Sequence, residues 1–146
     1  MKIPSVCLSL ALFLGTAGCA TGPLYAPAPR PEAGKVRVYF YQDGGSGIWI
    51  NRFYVNDQYV VSLYDKTYSW TFLPVGSYNF SVGQIVAVKK LNFNLSLRSG
   101  QDYFIRHSIV RGVGSTTYFF SSVQPAEARE EIAKYHYKEP DQVDFK

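Results

Sequence analysis

The clearest signal in the chain is the run Leu91, Phe93, Leu95 and Leu97, which alternates with Asn92, Asn94, Ser96 and Arg98. Period two puts every apolar side chain on one face of a strand, and a slip of one residue would invert the faces. The same period recurs at Val36, Val38 and Phe40, which alternate with Arg37, Tyr39 and Tyr41. Tyr103, Ile105, His107 and Ile109 repeat it against Phe104, Arg106 and Ser108. Further β-rich runs cover Ile48 to Val55, Tyr59 to Tyr64, Tyr68 to Leu73, Ser77 to Val82 and Thr116 to Val123, and Ile85 to Val88 continues or bulges the strand before it. Turn chemistry separates them. Asn56-Asp57 tolerates left-handed backbone and predicts a tight hairpin, while Pro74-Val75-Gly76, Ser99-Gly100 and Gly112-Val113-Gly114 break the other runs.

Only after Gln124 does the period lengthen. Pro125 suits a first helical position, Glu127, Glu130 and Glu131 lie near the positive end of the dipole, and Ala128, Ile132 and Tyr135 form one apolar stripe. A helix over 125–136 is expected. Closely spaced strands without intervening helices predict an antiparallel β-sandwich of about seven or eight strands, carrying one short C-terminal helix on an edge or face.

The N-terminus follows neither period. Residues 1–18 read as a signal peptide: Lys2, then the apolar stretch Val6 to Leu14, then small residues. That stretch is too short for a permanent transmembrane helix, which needs about 20 residues. Thr16-Ala17-Gly18-Cys19 resembles the lipobox of bacterial lipoproteins. The resemblance implies cleavage before Cys19, acylation of its thiol and attachment to a membrane, and Ala20 behind it permits delivery to the outer membrane. Ordinary secretory cleavage near Ala20, giving a non-lipidated periplasmic protein, is the alternative. Residues 20–34 hold Pro23, Pro27, Pro29 and Pro31 and are expected to form an extended tether of up to about 45 Å. The expected organisation is signal peptide 1–18, lipidated Cys19 with its tether to residue 34, β domain 35–124, and helix with tail 125–146.

Three pieces in order carry a second resemblance: Gly34 to Tyr41, Val55-Asn56-Asp57-Gln58, and Leu73-Pro74-Val75-Gly76-Ser77-Tyr78 followed by Gly100 to Arg106. They resemble a family of small bacterial lipoproteins catalogued as a domain of unknown function and, more loosely, PEGA-type surface β-domains. The resemblance implies a β fold over residues 34–123 and supplies no catalytic residues. Tyr78, entering a strand just after a turn, is placed to send its hydroxyl back to the backbone as a tyrosine corner does.

Composition narrows the function. The chain of 146 residues is 47% apolar and 18% charged, which excludes general disorder. A net charge of +4 spread along the chain does not favour nucleic acid. With two cysteines and two histidines there is neither a disulfide framework nor a metal set, and no cofactor is implied. His107, between Ile105 and Ile109, reads as a hydrogen-bonded strand residue, and no Ser-His-Asp or Cys-His order is legible. The unusual feature is the supply of 12 Tyr, 10 Phe and 2 Trp. Tyr39, Tyr41, Trp49, Tyr54 and Tyr59 are therefore the candidate binding surface, aimed at an envelope protein or a cell-wall glycan. The expectation is a non-catalytic binding or structural module, a lipoprotein in the outer membrane facing the periplasm and held through Cys19. An envelope hydrolase with an unrecognised site is the competing class.

Overall fold

The computed structural model describes residues 22–84, 90–141 and 145. The expected signal peptide, Cys19 and the Ile85–Val88 run lie outside the described residues. The described chain forms β1 (Lys35–Gln42), β2 (Asn51–Val55), β3 (Gln58–Leu63), β4 (Thr67–Pro74), β5 (Gly76–Gln84), β6 (Leu91–Leu97), β7 (Tyr103–Gly112), β8 (Ser115–Val123), helix α1 (Pro125–Ile132) and the two-residue β9 (His136–Tyr137). Five strands make one sheet in the order β8-β7-β1-β4-β9, and four make the other in the order β3-β2-β5-β6.

Alternation places the core between the sheets. Val36, Val38 and Phe40 of β1 meet Phe53, Val55, Val61, Leu63, Phe80 and Val82 from the smaller sheet. Phe40 lies edge-on to Phe53, with ring centroids 5.8 Å apart. Leu91, Phe93 and Leu95 face the same core half-buried, and Leu97 is buried outright. The apolar face read from β6 is therefore the inner one.

The sandwich is as expected, and its larger sheet is mixed rather than wholly antiparallel. β1 pairs with β7 in parallel, Val38 opposite Tyr103 and Gln42 opposite His107. The chain between them passes through β4 and the whole smaller sheet, so it re-enters beside β1 in the same direction. β9 also pairs in parallel, with β4. That pairing ends the helix early. Tyr135 stays buried beyond α1, but its amide turns back to the Ile132 carbonyl, and His136–Tyr137 then run as strand. β2 likewise starts later than its apolar run. Ile48, Trp49 and Ile50 belong to a turn whose entry is held by the Asp65 carboxylate, which accepts from the amides of Ser46 and Gly47 and from the Ser46 hydroxyl.

Turns follow their residues. Asn56 (φ 48°) and Asp57 (φ 62°) are both left-handed, as a two-residue hairpin that follows strand twist requires. The Tyr78 hydroxyl donates to the Pro74 carbonyl at 2.9 Å, the tyrosine-corner contact expected of it. Tyr103 makes the equivalent contact at the other turn-to-strand entry, where its hydroxyl accepts from the Arg98 amide at 2.7 Å.

The proline-containing segment does not extend away from the domain. Residues 22–29 lie along the outer face of the larger sheet. Tyr39 and Tyr68 hydroxyls accept from the amides of Ala28 (2.9 Å) and Ala26 (3.2 Å), and Arg37 donates to the Ala28 carbonyl at 2.8 Å. Prolines cannot donate to a ladder, so side-chain hydroxyls of the sheet take the place of a strand partner for the amides between them.

Candidate functional site

The five aromatic candidates divide three ways. Tyr39 and Tyr41 are buried, 1% and 0% exposed, and are no part of a surface. Their hydroxyls point to the outer face of the larger sheet, where the N-terminal segment and α1 cover them. Tyr39 stacks on Phe104 at 4.6 Å. Tyr41 donates to the Glu131 carboxylate, and burial followed by that carboxylate drives its pKa well above the usual phenol value. Arg106 of β7 binds Glu131 at 2.6 Å and Glu127 at 3.2 Å, which ties α1 to the sheet. The alternation Arg37-Tyr39-Tyr41 looked like a solvent face because nothing in β1 itself records its cover.

Tyr54 and Tyr59 do lie together, on the outer face of the smaller sheet. Their rings meet edge-on at 5.9 Å. With Arg52 and Ser62 they line an open groove of about 330 Å³. The Tyr59 hydroxyl is 2.7 Å from Ser62 Oγ, and Lys90 Nζ stands 4.2 Å from the centre of the Tyr54 ring. Beside the tyrosines runs a polar ladder. Asn79 Nδ2 donates to Asn94 Oδ1 at 2.9 Å, Asn56 Oδ1 accepts from the Asn79 amide at 2.8 Å, and Ser77 and Ser96 hydroxyls are 2.9 Å apart. The cross-strand register Asn79–Asn94 and Ser77–Ser96 sets these pairs. A face carrying aromatic rings beside amides, hydroxyls and an arginine has both stacking surface and directional donors and acceptors. Trp49 is separate, 42% exposed in the turn before β2.

Two further polar clusters were not legible as sites. His107 is buried, its Nδ1 2.7 Å from Gln42 Oε1. Gln42 Nε2 donates to the Gly44 carbonyl, so Oε1 is left to accept, from Asn51 Nδ2 at 3.0 Å and from His107. His107 therefore carries its proton on Nδ1. Burial lowers its pKa to about 4, against a smaller upward pull from Asp65. The ring is packed among Phe53, Phe120 and Tyr118.

The second cluster lines a cleft of about 600 Å³ at the far end of the larger sheet. Asp102 sits between Arg37 (2.6 and 2.9 Å) and Arg129 (2.9 Å). Arg30, Glu32 and Lys35 complete the rim. The Asp102 clamp joins β1, the start of β7, α1 and, through Arg37, the N-terminal segment. Its evident work is to pin the cover. Among the described residues no cluster of His, Cys, Asp and Glu has the makings of a metal site.

The family model for a protein of unknown function, DUF2846, matches residues 32–121, well over half of the chain. The chain belongs to the DUF2846 family. No curated protein and no solved structure matches it. The DUF2846 span begins just before β1 and ends within β8, so the whole smaller sheet with its Tyr54–Tyr59 face and all of the larger sheet but the end of β8 and β9 fall inside it. The segment 22–29 and α1, which cover Tyr39 and Tyr41, fall outside it.

Proposed function

We propose that this DUF2846 chain is a bacterial envelope lipoprotein that binds and does not catalyse. It is anchored through Cys19 at the periplasmic side of the outer membrane, and it recognises cell-wall glycan through the outer face of its smaller sheet. The observation that carries the reading is the uncovered face itself: Tyr54 against Tyr59, Arg52 and Ser62 around one groove, and an amide ladder beside it. Sugars present apolar ring faces and rims of hydroxyls. Half-buried tyrosines suit the first and fixed amides the second.

Binding is favoured over hydrolysis by the state of His107. A general base works best with a pKa near the operating pH and within hydrogen-bond reach of its substrate. His107 is held neutral in the core among Phe53 and Phe120, where burial lowers its pKa to about 4, well below that range.

Three measurements test the proposal. Labelling with a palmitate analogue is expected in the wild type and lost in Cys19→Ala; equal labelling removes the anchor. Sedimentation with insoluble peptidoglycan is expected for the folded protein and lost in Tyr54→Ala and Tyr59→Ala. Retention by both variants would remove the face. Glycan hydrolysis by the purified protein, abolished in a folded His107→Gln variant, would reinstate the hydrolase.

A further inference from the structure

One end of the sandwich is unusually apolar. Ile48 is 90% exposed, Trp49 42% and Ile50 38%, all in the turn between β1 and β2. At the tip of the β7–β8 hairpin Val113 is fully exposed, and Val110 below it is 56% exposed. A soluble surface tolerates single apolar residues, but a group of this size at one end calls for a partner.

The two segments are neighbours. Gly45 lies so close to the Ile109 backbone that a Cβ on it would fall 1.7 Å from the Ile109 carbonyl oxygen. Arg111 Nε donates to the Gly45 carbonyl at 2.9 Å. The Ile109 amide in turn donates to the Gly44 carbonyl at 3.1 Å. The loop is thus fastened to the hairpin and presents its apolar residues as a fixed group.

The N-terminal segment arrives at this same end. The Gly22 carbonyl is 2.8 Å from His136 Nδ1, and the His136 amide donates to the Lys66 carbonyl. Lys66 Nζ binds Asp43, the first residue of the loop. Gly22, β9, the 65–66 turn and the 43–50 loop therefore share one end face. The cleft around Asp102 lies at the opposite end, about 25 Å away along the eight residues of β1.

Because residues 22–29 are bonded to the sheet, only residues 20 and 21 stand in sequence between a lipidated Cys19 and the domain. Three Cα steps span at most about 11 Å. β7 continues five residues past the His107–Gln42 pair, about 16 Å in strand geometry. The hairpin tip therefore reaches towards the bilayer at least as far as the anchor lets the domain withdraw.

We infer that this end face is a membrane-contacting surface, with Ile48, Trp49, Ile50 and Val113 seated in the interfacial region of the lipid leaflet that holds the Cys19 acyl chains. The inference rests on the lipoprotein reading above. Trp is suited to the headgroup level and the aliphatic residues to the acyl boundary. Arg111, which has no carboxylate partner among the described residues, adds attraction for anionic headgroups. Held this way, the domain stands with the Asp102 cleft directed away from the membrane and the Tyr54–Tyr59 face at its side, open to the periplasm.

The test uses the full mature lipidated chain with Trp70→Phe, so that Trp49 is the sole tryptophan, in vesicles of phosphatidylethanolamine and phosphatidylglycerol bearing bromine on the acyl chains. Quenching of Trp49 by at least about twofold relative to unbrominated vesicles is expected for an interfacial indole. Should Trp70→Phe fail to fold, a nitroxide on Ile48→Cys in the otherwise wild-type chain reports the same contact through its accessibility to oxygen. An unquenched Trp49, or a water-exposed label, in protein shown to carry palmitate would overturn the membrane face and leave the anchor standing. Protection of Trp49 by a second copy or another protein, without quenching, would overturn it equally. Quenching by added vesicles in a chain that takes up no palmitate would support the face and sink the anchor.

Discussion

The two sheets carry tyrosines on their outer faces in the same alternating pattern, and the tyrosines meet opposite fates. On the larger sheet Tyr39, Tyr41 and Tyr68 are each 2% exposed or less. On the smaller sheet Tyr54 and Tyr59 remain half open. The strands are not the cause. Each of the buried tyrosine hydroxyls of β1 has an assigned partner in the cover, Ala28 for Tyr39 and Glu131 for Tyr41, whereas Tyr54 and Tyr59 meet each other, Ser62 and Lys90. A tyrosine whose ring and hydroxyl are both used by the fold is structural. One whose ring still faces water is available.

Breaking the covered face is expected to cost most. Tyr39→Ala removes a ring fully inside the second core, its stack on Phe104 and the acceptor for the Ala28 amide. About 3–5 kcal/mol of stability should be lost, the range for deleting a buried aromatic. Urea unfolding measures it. Tyr54→Ala, which removes a half-exposed ring, should lose clearly less in the same assay, about 1 kcal/mol. Equal losses would mean that the two faces are not differently covered.

A pH titration sharpens the contrast between buried and open polar groups. Burial holds His107 near pKa 4, against an ordinary value of 6.5. Between these values the unfolded chain binds the proton and the folded chain does not. Stability is therefore full above pH 6.5 and falls as pH drops towards 4, by about 3 kcal/mol at most. His107→Gln, measured alongside, should flatten that slope. A slope unchanged by the substitution would assign it to other groups.

Most of the sandwich was legible because period two and turn residues are local signals. Leu91 to Leu97 gave their inner face correctly, and Asn56-Asp57 and Tyr78 gave their turns. What was not legible depended on partners distant in sequence. Asp102 meets Arg37 across 65 positions, and Tyr41 meets Glu131 across 90. Nothing in β1 states that a proline-containing segment and a helix will bury its second face. The same gap explains the turn at Ile48 to Ile50, which is as β-rich as any strand. It is kept out of the sheet by the grip of Asp65 on Ser46 and Gly47. Of the candidate surface, Tyr54 and Tyr59 came together because they flank one hairpin. Trp49 was separated from them by that grip.

The smallest effect tests how firmly the open face is organised. Lys90 Nζ stands 4.2 Å from the Tyr54 ring centre and 3.8 Å from Asp57, with both charged side chains largely in solvent. A cation over an exposed ring is worth about 0.5–1 kcal/mol, and an exposed ion pair adds less than about 1 kcal/mol. A double-mutant cycle with Tyr54→Ala and Lys90→Ala, followed by urea unfolding, should return a coupling within that range. A coupling this weak leaves Lys90 free to exchange the Tyr54 ring for a ligand at little cost, so the groove beside Arg52 opens without disturbing the core. A coupling of about 2 kcal/mol or more would belong to a desolvated contact. It would make Lys90 a lid over Tyr54 in the way that α1 is a lid over Tyr41, and the distinction between the two faces would fall.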